Sequence, residues 1–126
     1  RDTLYPHLVF VNVDEDFVRL HADYYKTTFK KLEEYCSLDW KTGNFRLLHF
    51  KSNCDPSASE EGETVDTNPA LRNRRIFDIP GYGSKYCPLH LKRGSRIRTH
   101  LWHTDGERRL YVVYCGPHLP TANDPK

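Results

Sequence analysis

An α+β domain, with one long helix packed on a curved antiparallel sheet and held by disulfides, is the fold class the sequence predicts. Three observations point there. A short β-branched run, Leu8–Val13, leads directly into a stretch of helical spacing. Several short strand-like runs follow, separated by turn residues. The last two of them flank Asp105-Gly106, a preferred dipeptide of two-residue hairpin turns. The 126 residues fit a single domain, 1–126, and sixteen aromatic residues give it the makings of a core. No apolar run approaches the ~20 residues of a membrane-spanning helix, so a membrane partner is not expected.

In chain order, the helix comes first. Asp14 stands where an N-cap belongs, and Glu15 and Asp16 place acids in the first turn, where the helix dipole favours them. From there Phe17, Leu20, Tyr24, Thr28, Lys31 and Tyr35 keep helical spacing, with Val18, Ala22, Tyr25, Phe29 and Leu32 as a second row. The pattern predicts one amphipathic helix over about 15–35, with Lys26, Lys30 and Lys31 in its later half. Ser37–Trp40 and Phe45–Phe50 read as a hairpin around Lys41-Thr42-Gly43-Asn44. Residues 52–73 are polar, contain Pro56, Gly62 and Pro69, and predict a long surface loop. Residues 75–79 predict a strand stopped by Pro80-Gly81, and Tyr82–Tyr86 a Gly/Tyr loop.

With Asp105-Gly106 as the turn, Leu101 should pair with Leu110, His100 with Tyr111 and Arg98 with Val113. One face would then carry Ile97, Leu101, Leu110, Val112 and Tyr114 against the helix. The other would carry Arg96, Arg98, His100, Trp102, Arg109 and Tyr111, the candidate binding residues. Arginine forks bind phosphates, tryptophan stacks bases and histidine exchanges protons near neutrality, so this face suggests an RNA-facing groove. The plainer alternative has the arginines covering an outer face and Trp102 packing on the 52–73 loop.

Charge is polarised along the chain. The net charge is only +2, yet residues 52–71 sum to −5 and residues 72–109 to +7. A basic half this concentrated suggests a polyanion or an acidic partner surface. Cys36, Cys54, Cys87 and Cys115, with no methionine and hence no initiator, suggest a processed, secreted chain with two disulfides, three pairings being open. Four reduced, buried thiols are the competing reading. Cys87-Pro-Leu-His90 and Cys115-Gly-Pro-His118 supply enough ligands for zinc, but neither step sits in a zinc-knuckle pattern, so neither metal nor cofactor is expected.

The element order resembles that of fungal guanyl-specific ribonucleases, whose catalytic residues follow on successive strands as His, Glu, Arg, His. The matching positions here are His49 in Phe45–Phe50, Asp78 in Ile76-Phe77-Asp78-Ile79-Pro80, and Arg96 or Arg98. Tyr111–Val113 stands where the second histidine belongs, leaving His100 as the nearby substitute for the acid. The resemblance therefore implies vestigial rather than efficient catalysis at His49, Asp78, Arg98 and His100. Over residues 8–118 the chain is similar to the secreted ribonuclease-like effectors of powdery mildew fungi, although it lacks that family's N-terminal Tyr-x-Cys motif. That likeness implies a monomeric virulence effector that binds host protein or RNA and is read by a plant immune receptor. Two other scaffolds compete. The cystatin scaffold, a cysteine-protease inhibitor, shares the strand–helix–strands order, but Lys41-Thr42-Gly43-Asn44 replaces its inhibitory loop. A lipocalin would account for the Leu101–Asp105 and Tyr111–Cys115 pair, but not for the helix at 15–35.

Overall fold

The computed structural model describes residues 5–11, 13–39, 57–59, 61–93, 97–104, 109–117 and 119. The fold is mixed α+β. Its elements are β1 (Leu8–Phe10), α1 (Glu15–Leu20), α2 (Ala22–Asp39), β2 (Ser57–Ser59), α3 (Glu63–Thr67), α4 (Pro69–Asn73), β3 (Ile76–Ile79), β4 (Gly83–Tyr86), β5 (His90–Arg93), β6 (Ile97–Trp102) and β7 (Leu110–Pro117). No helix among the described residues is long and apolar enough to cross a membrane.

Asp14 caps α1 as its position suggests, its carboxylate accepting from the amides of Asp16 at 3.0 Å and Phe17 at 3.1 Å. The single long helix expected over 15–35 is instead two. His21 leaves helical geometry at φ −114°, ψ 40° and separates α1 from α2, so Leu20 turns to solvent at 76% exposure. Of the two apolar rows, the second supplies most of the core: Tyr25, Phe29 and Leu32 are buried, and Cys36 continues the spacing. Helix α2 runs on to Asp39, through residues 37–39 that had been expected to begin a hairpin. The rest of that hairpin, with its turn and His49, lies outside the described residues.

Strand β1 lies parallel to β7, with Leu8 opposite Leu110 and Phe10 opposite Val112. The antiparallel sheet expected from the sequence thus gains a parallel edge, in the order β1-β7-β6-β5-β2. Parallel neighbours need a long crossover, and α1 and α2 begin it on the face they cover. Leu8, Tyr25, Phe29, Leu32, Leu91, Leu101, Leu110 and Val112 fill the space between helices and sheet. At about 1.5–3 kcal/mol per buried large apolar side chain, this layer is the principal stabilising feature.

The opposite face is covered too. Strands β3 and β4 form a separate antiparallel hairpin, Ile76 opposite Tyr86 and Ile79 opposite Gly83. Ile79 and Cys87 pack with Tyr111 and Val113 in a second core, flanked by Val9, Val11, Phe77 and Trp102. The 52–73 stretch is not a structureless loop: it holds β2, α3 and α4. Asn68 caps α4, accepting from the amides of Ala70 and Leu71, with Pro69 in the first turn where its missing N–H costs nothing. Residues 83–86, read as a loop, pair as β4.

The β6–β7 register differs from expectation by two residues near the turn, where Leu101 faces Val112 and Trp102 faces Tyr111. A two-residue shift preserves the faces, so Leu101, Leu110 and Val112 still pack toward the helices. A β-bulge then intervenes: His100 faces Tyr114, leaving Val113 as the extra residue. The bulge reverses alternation beyond it, and Tyr114, expected on the helix face, turns outward while Cys115 turns inward. Asp105 and Gly106 lie outside the described residues.

The expected disulfides are not present among the described cysteines. Cys36, Cys87 and Cys115 are buried thiols. Cys36 and Cys115 belong to the helix-side core and Cys87 to the core on the other face, so the sheet separates Cys87 from the other two. Cys54 lies outside the described residues.

Candidate functional site

Along β6 the outward side chains are Arg98, His100 and Trp102, as alternation requires. They do not form one open surface. His100 is 1% exposed and Arg98 is buried, while Trp102 is half-buried. The row divides into a buried polar cluster at Arg98 and His100 and an aromatic group at Trp102.

The polar cluster gathers residues from two strands, β5 and β6, and from the segments just before α3 and just before β3. Strands β5 and β6 place His90 directly opposite His100, their rings stacked at 5.0 Å and 29°. Each histidine has its Nδ1 2.8 Å from a backbone carbonyl, that of Pro88 for His90 and that of Cys87 for His100. Nδ1–H donating to these carbonyls leaves neutral His100 with an unprotonated Nε2, 4.0 Å from Glu61 Oε2. Glu61, just before α3, is engaged by Arg75, which donates from Nε at 2.5 Å. Arg75 is 1% exposed and donates from Nη1 to Leu71 O at 2.9 Å. A buried guanidinium is tolerable only when it is paired in this way.

Burial sets the protonation of the cluster. Loss of solvent is the largest cause pulling His100 down to about 3, with His90, Arg75 and Arg98 adding positive charge nearby. His90 is lowered by the same desolvation, although its bond to Pro88 O and the charge of Glu61 oppose it. Arg98 is also lowered by desolvation, against the pull of Glu61.

Ligand-type atoms of Glu61, His90 and His100 lie within 4.8 Å of one another, close enough to share a cation. The chain supplies that cation itself. Arg75 occupies the Glu61 oxygen the metal would need, and Arg98 adds a second positive charge. His90 Nδ1 and His100 Nδ1 are also taken up by backbone carbonyls.

A carboxylate, two imidazoles and two guanidiniums are the group types of phosphodiester transesterification. Here they are closed in, Glu61 paired with Arg75 and each imidazole bonded to a backbone carbonyl, and an imidazole at about 3 is a feeble proton acceptor at neutrality. Sequence reasoning singled out Arg98 and His100 but not Glu61 or Arg75, and met His90 only in a Cys-x-x-His step. The missing signal was β5: once His90–Arg93 is paired with β6, His90 must face His100.

Asp78 is elsewhere, exposed on β3, its carboxylate accepting from Ser84 Oγ at 2.6 Å. Tyr111 is buried against Trp102, with ring centroids 5.5 Å apart. A residue the sequence reading left in a loop completes that group: Tyr82 lies 4.9 Å from Trp102 and 6.2 Å from Tyr111. Arg109 is exposed two residues before Tyr111, and Arg96 and His49 lie outside the described residues. No family model, curated protein or solved structure matches the chain.

Proposed function

We propose that this chain is a ribonuclease-like protein that binds single-stranded RNA without cleaving it efficiently. The observation that carries the reading is a division of labour along β6: groups able to cleave are sealed inside with Glu61 and Arg75, whereas Trp102 and Tyr82 stand at the surface end. Residues 72–109, which include β3 to β6, sum to +7, and the excess of about +5 left once buried Arg75 and Arg98 are set aside (7 − 2) supports a polyanionic ligand. Arg72, Arg74 and Arg109 are exposed within this stretch. Export, and action in a plant cell as a virulence effector met by an immune receptor, are what the resemblance contributes. The thiols of Cys36, Cys87 and Cys115 lend them no support.

The test combines cleavage and binding on labelled single-stranded RNA. The expected result is binding that weakens steeply between 50 and 200 mM salt (roughly these concentrations, as for any ligand whose counterions are released) and no cleavage. Cleavage that disappears in Glu61→Gln would make the protein an enzyme. Absence of binding at low salt would remove RNA as the partner.

A further inference from the structure

We propose that Tyr82 and Trp102 form a stacking site for the bases of a single-stranded nucleic acid, an inference that rests on the RNA-binding reading and gives it a location. Tyr82 is 39% exposed, one of two large apolar side chains so exposed among the described residues. It is not on a loose segment. Its amide donates to Ile79 O at 2.9 Å, closing a turn in which Pro80 fixes one φ and Gly81 takes φ +84°. Gly83 follows at φ +82°. The chain thus uses two left-handed glycines and a proline to hold a tyrosine over the end of the sheet, a conformation other residues adopt only with strain.

The floor of the site is equally fixed. Trp102 packs on Tyr111, which is buried with Ile79, Cys87 and Val113. The Tyr82 and Trp102 rings meet at 58° with centroids 4.9 Å apart, two aromatic walls set at an angle rather than a flat stack. A planar base can lie on either wall while its phosphate reaches basic side chains, and every base has a face to offer. Charge decides among ligands that stack on aromatics. Both rings lie in the +7 segment and Arg109 is exposed nearby in sequence, which favours a polyanion over a neutral sugar.

The experiment uses the full chain carrying Trp40→Phe, which leaves Trp102 as its sole indole, and follows its fluorescence. Three probes are compared: an eight-nucleotide oligo(U), an abasic ribose-phosphate chain of equal length, and a neutral oligosaccharide. Oligo(U) is expected to quench Trp102 and to bind more tightly than the abasic chain. Tyr82→Ala, at an exposed side chain, should weaken oligo(U) by about 5- to 100-fold and leave abasic binding unchanged, whereas Tyr82→Phe should keep most of the affinity. Equal binding of oligo(U) and the abasic chain, unaffected by Tyr82→Ala, overturns the stacking site while leaving RNA binding standing. Binding of neither polyanion overturns both, and a quench by the oligosaccharide that depends on Tyr82 replaces nucleic acid with a glycan.

Discussion

Arg75 and His100 are polar side chains with almost no contact with water, and the fold tolerates them for different reasons. Arg75 is paired, donating to Glu61 and to the Leu71 carbonyl. His100 gives up its charge: Nδ1–H is satisfied by Cys87 O, and its ring lies between His90, Phe77 and Tyr114. A proton added to it would sit among Arg75, Arg98 and His90, with Glu61 as the neighbouring anion. Because the folded value of about 3 lies below the ordinary histidine value, the unfolded chain binds more protons between the two. The stability due to this group is therefore whole above the ordinary value of about 6.5 and is lost as pH falls toward 3. Between pH ~6.5 and ~5.5 the loss is about 1 kcal/mol for His100, and His90 shifts in the same direction. Urea midpoints measured across that interval should fall, and His100→Gln should start less stable but follow a shallower slope. A wild-type midpoint that does not move would show that His100 is accessible or charged in the fold.

Among the elements, the β3–β4 hairpin is the one that turns an open sheet face into a second core. Its strands were only half legible. Ile76-Phe77-Asp78-Ile79 has strand composition, and Pro80-Gly81 announces a stop. Gly83-Ser84-Lys85-Tyr86 has a composition that turns also show, and only its pairing with β3 makes it a strand. The hidden break at His21 is similar, since backbone hydrogen bonds on either side of it, Phe17 O to His21 N and His21 O to Tyr25 N, preserve nearly helical spacing. No periodicity reveals such a joint. Likewise the bulge at Val113 is invisible to alternation, and it alone decides that Tyr114 and not Val113 stands opposite His100. The turn itself is testable. A Cβ built on Gly81 meets nothing within 4 Å, so Gly81→Ala carries backbone strain without a clash. It should cost about 1 kcal/mol, and Gly81→Asn less, because asparagine enters the left-handed region more readily. Equal stability of all three proteins in urea would mean that the turn relaxes into another form.

At the scale of the whole molecule, the layers explain where the three described cysteines belong better than the cysteine count does. Cysteine count suggested staples between surface elements; the described thiols are instead core residues, small and apolar, on either side of a sheet. The helix layer was legible because α2 repeats its apolar positions over five turns, whereas the outer layer, built around the short strands β3 and β4, carries no period to read. That same outer layer encloses Cys87. Cys87 packs on one side of the sheet and Cys36 and Cys115 on the other, so a bridge from Cys87 to either would have to cross the sheet, whereas bridged cysteines need Cβ atoms about 4 Å apart. Burial alone pushes its thiol up to about 12, leaving almost no thiolate at pH ~8. Iodoacetamide applied to the native protein should therefore leave Cys87 unmodified for as long as the fold persists. In denaturant without reductant, Cys36, Cys87 and Cys115 should all be alkylated and recovered as such by peptide mapping. A peptide joining Cys87 to Cys36 or Cys115 would require the outer hairpin to pack on the helix side, and would overturn the layer order on which the buried Glu61–His90–His100 cluster depends.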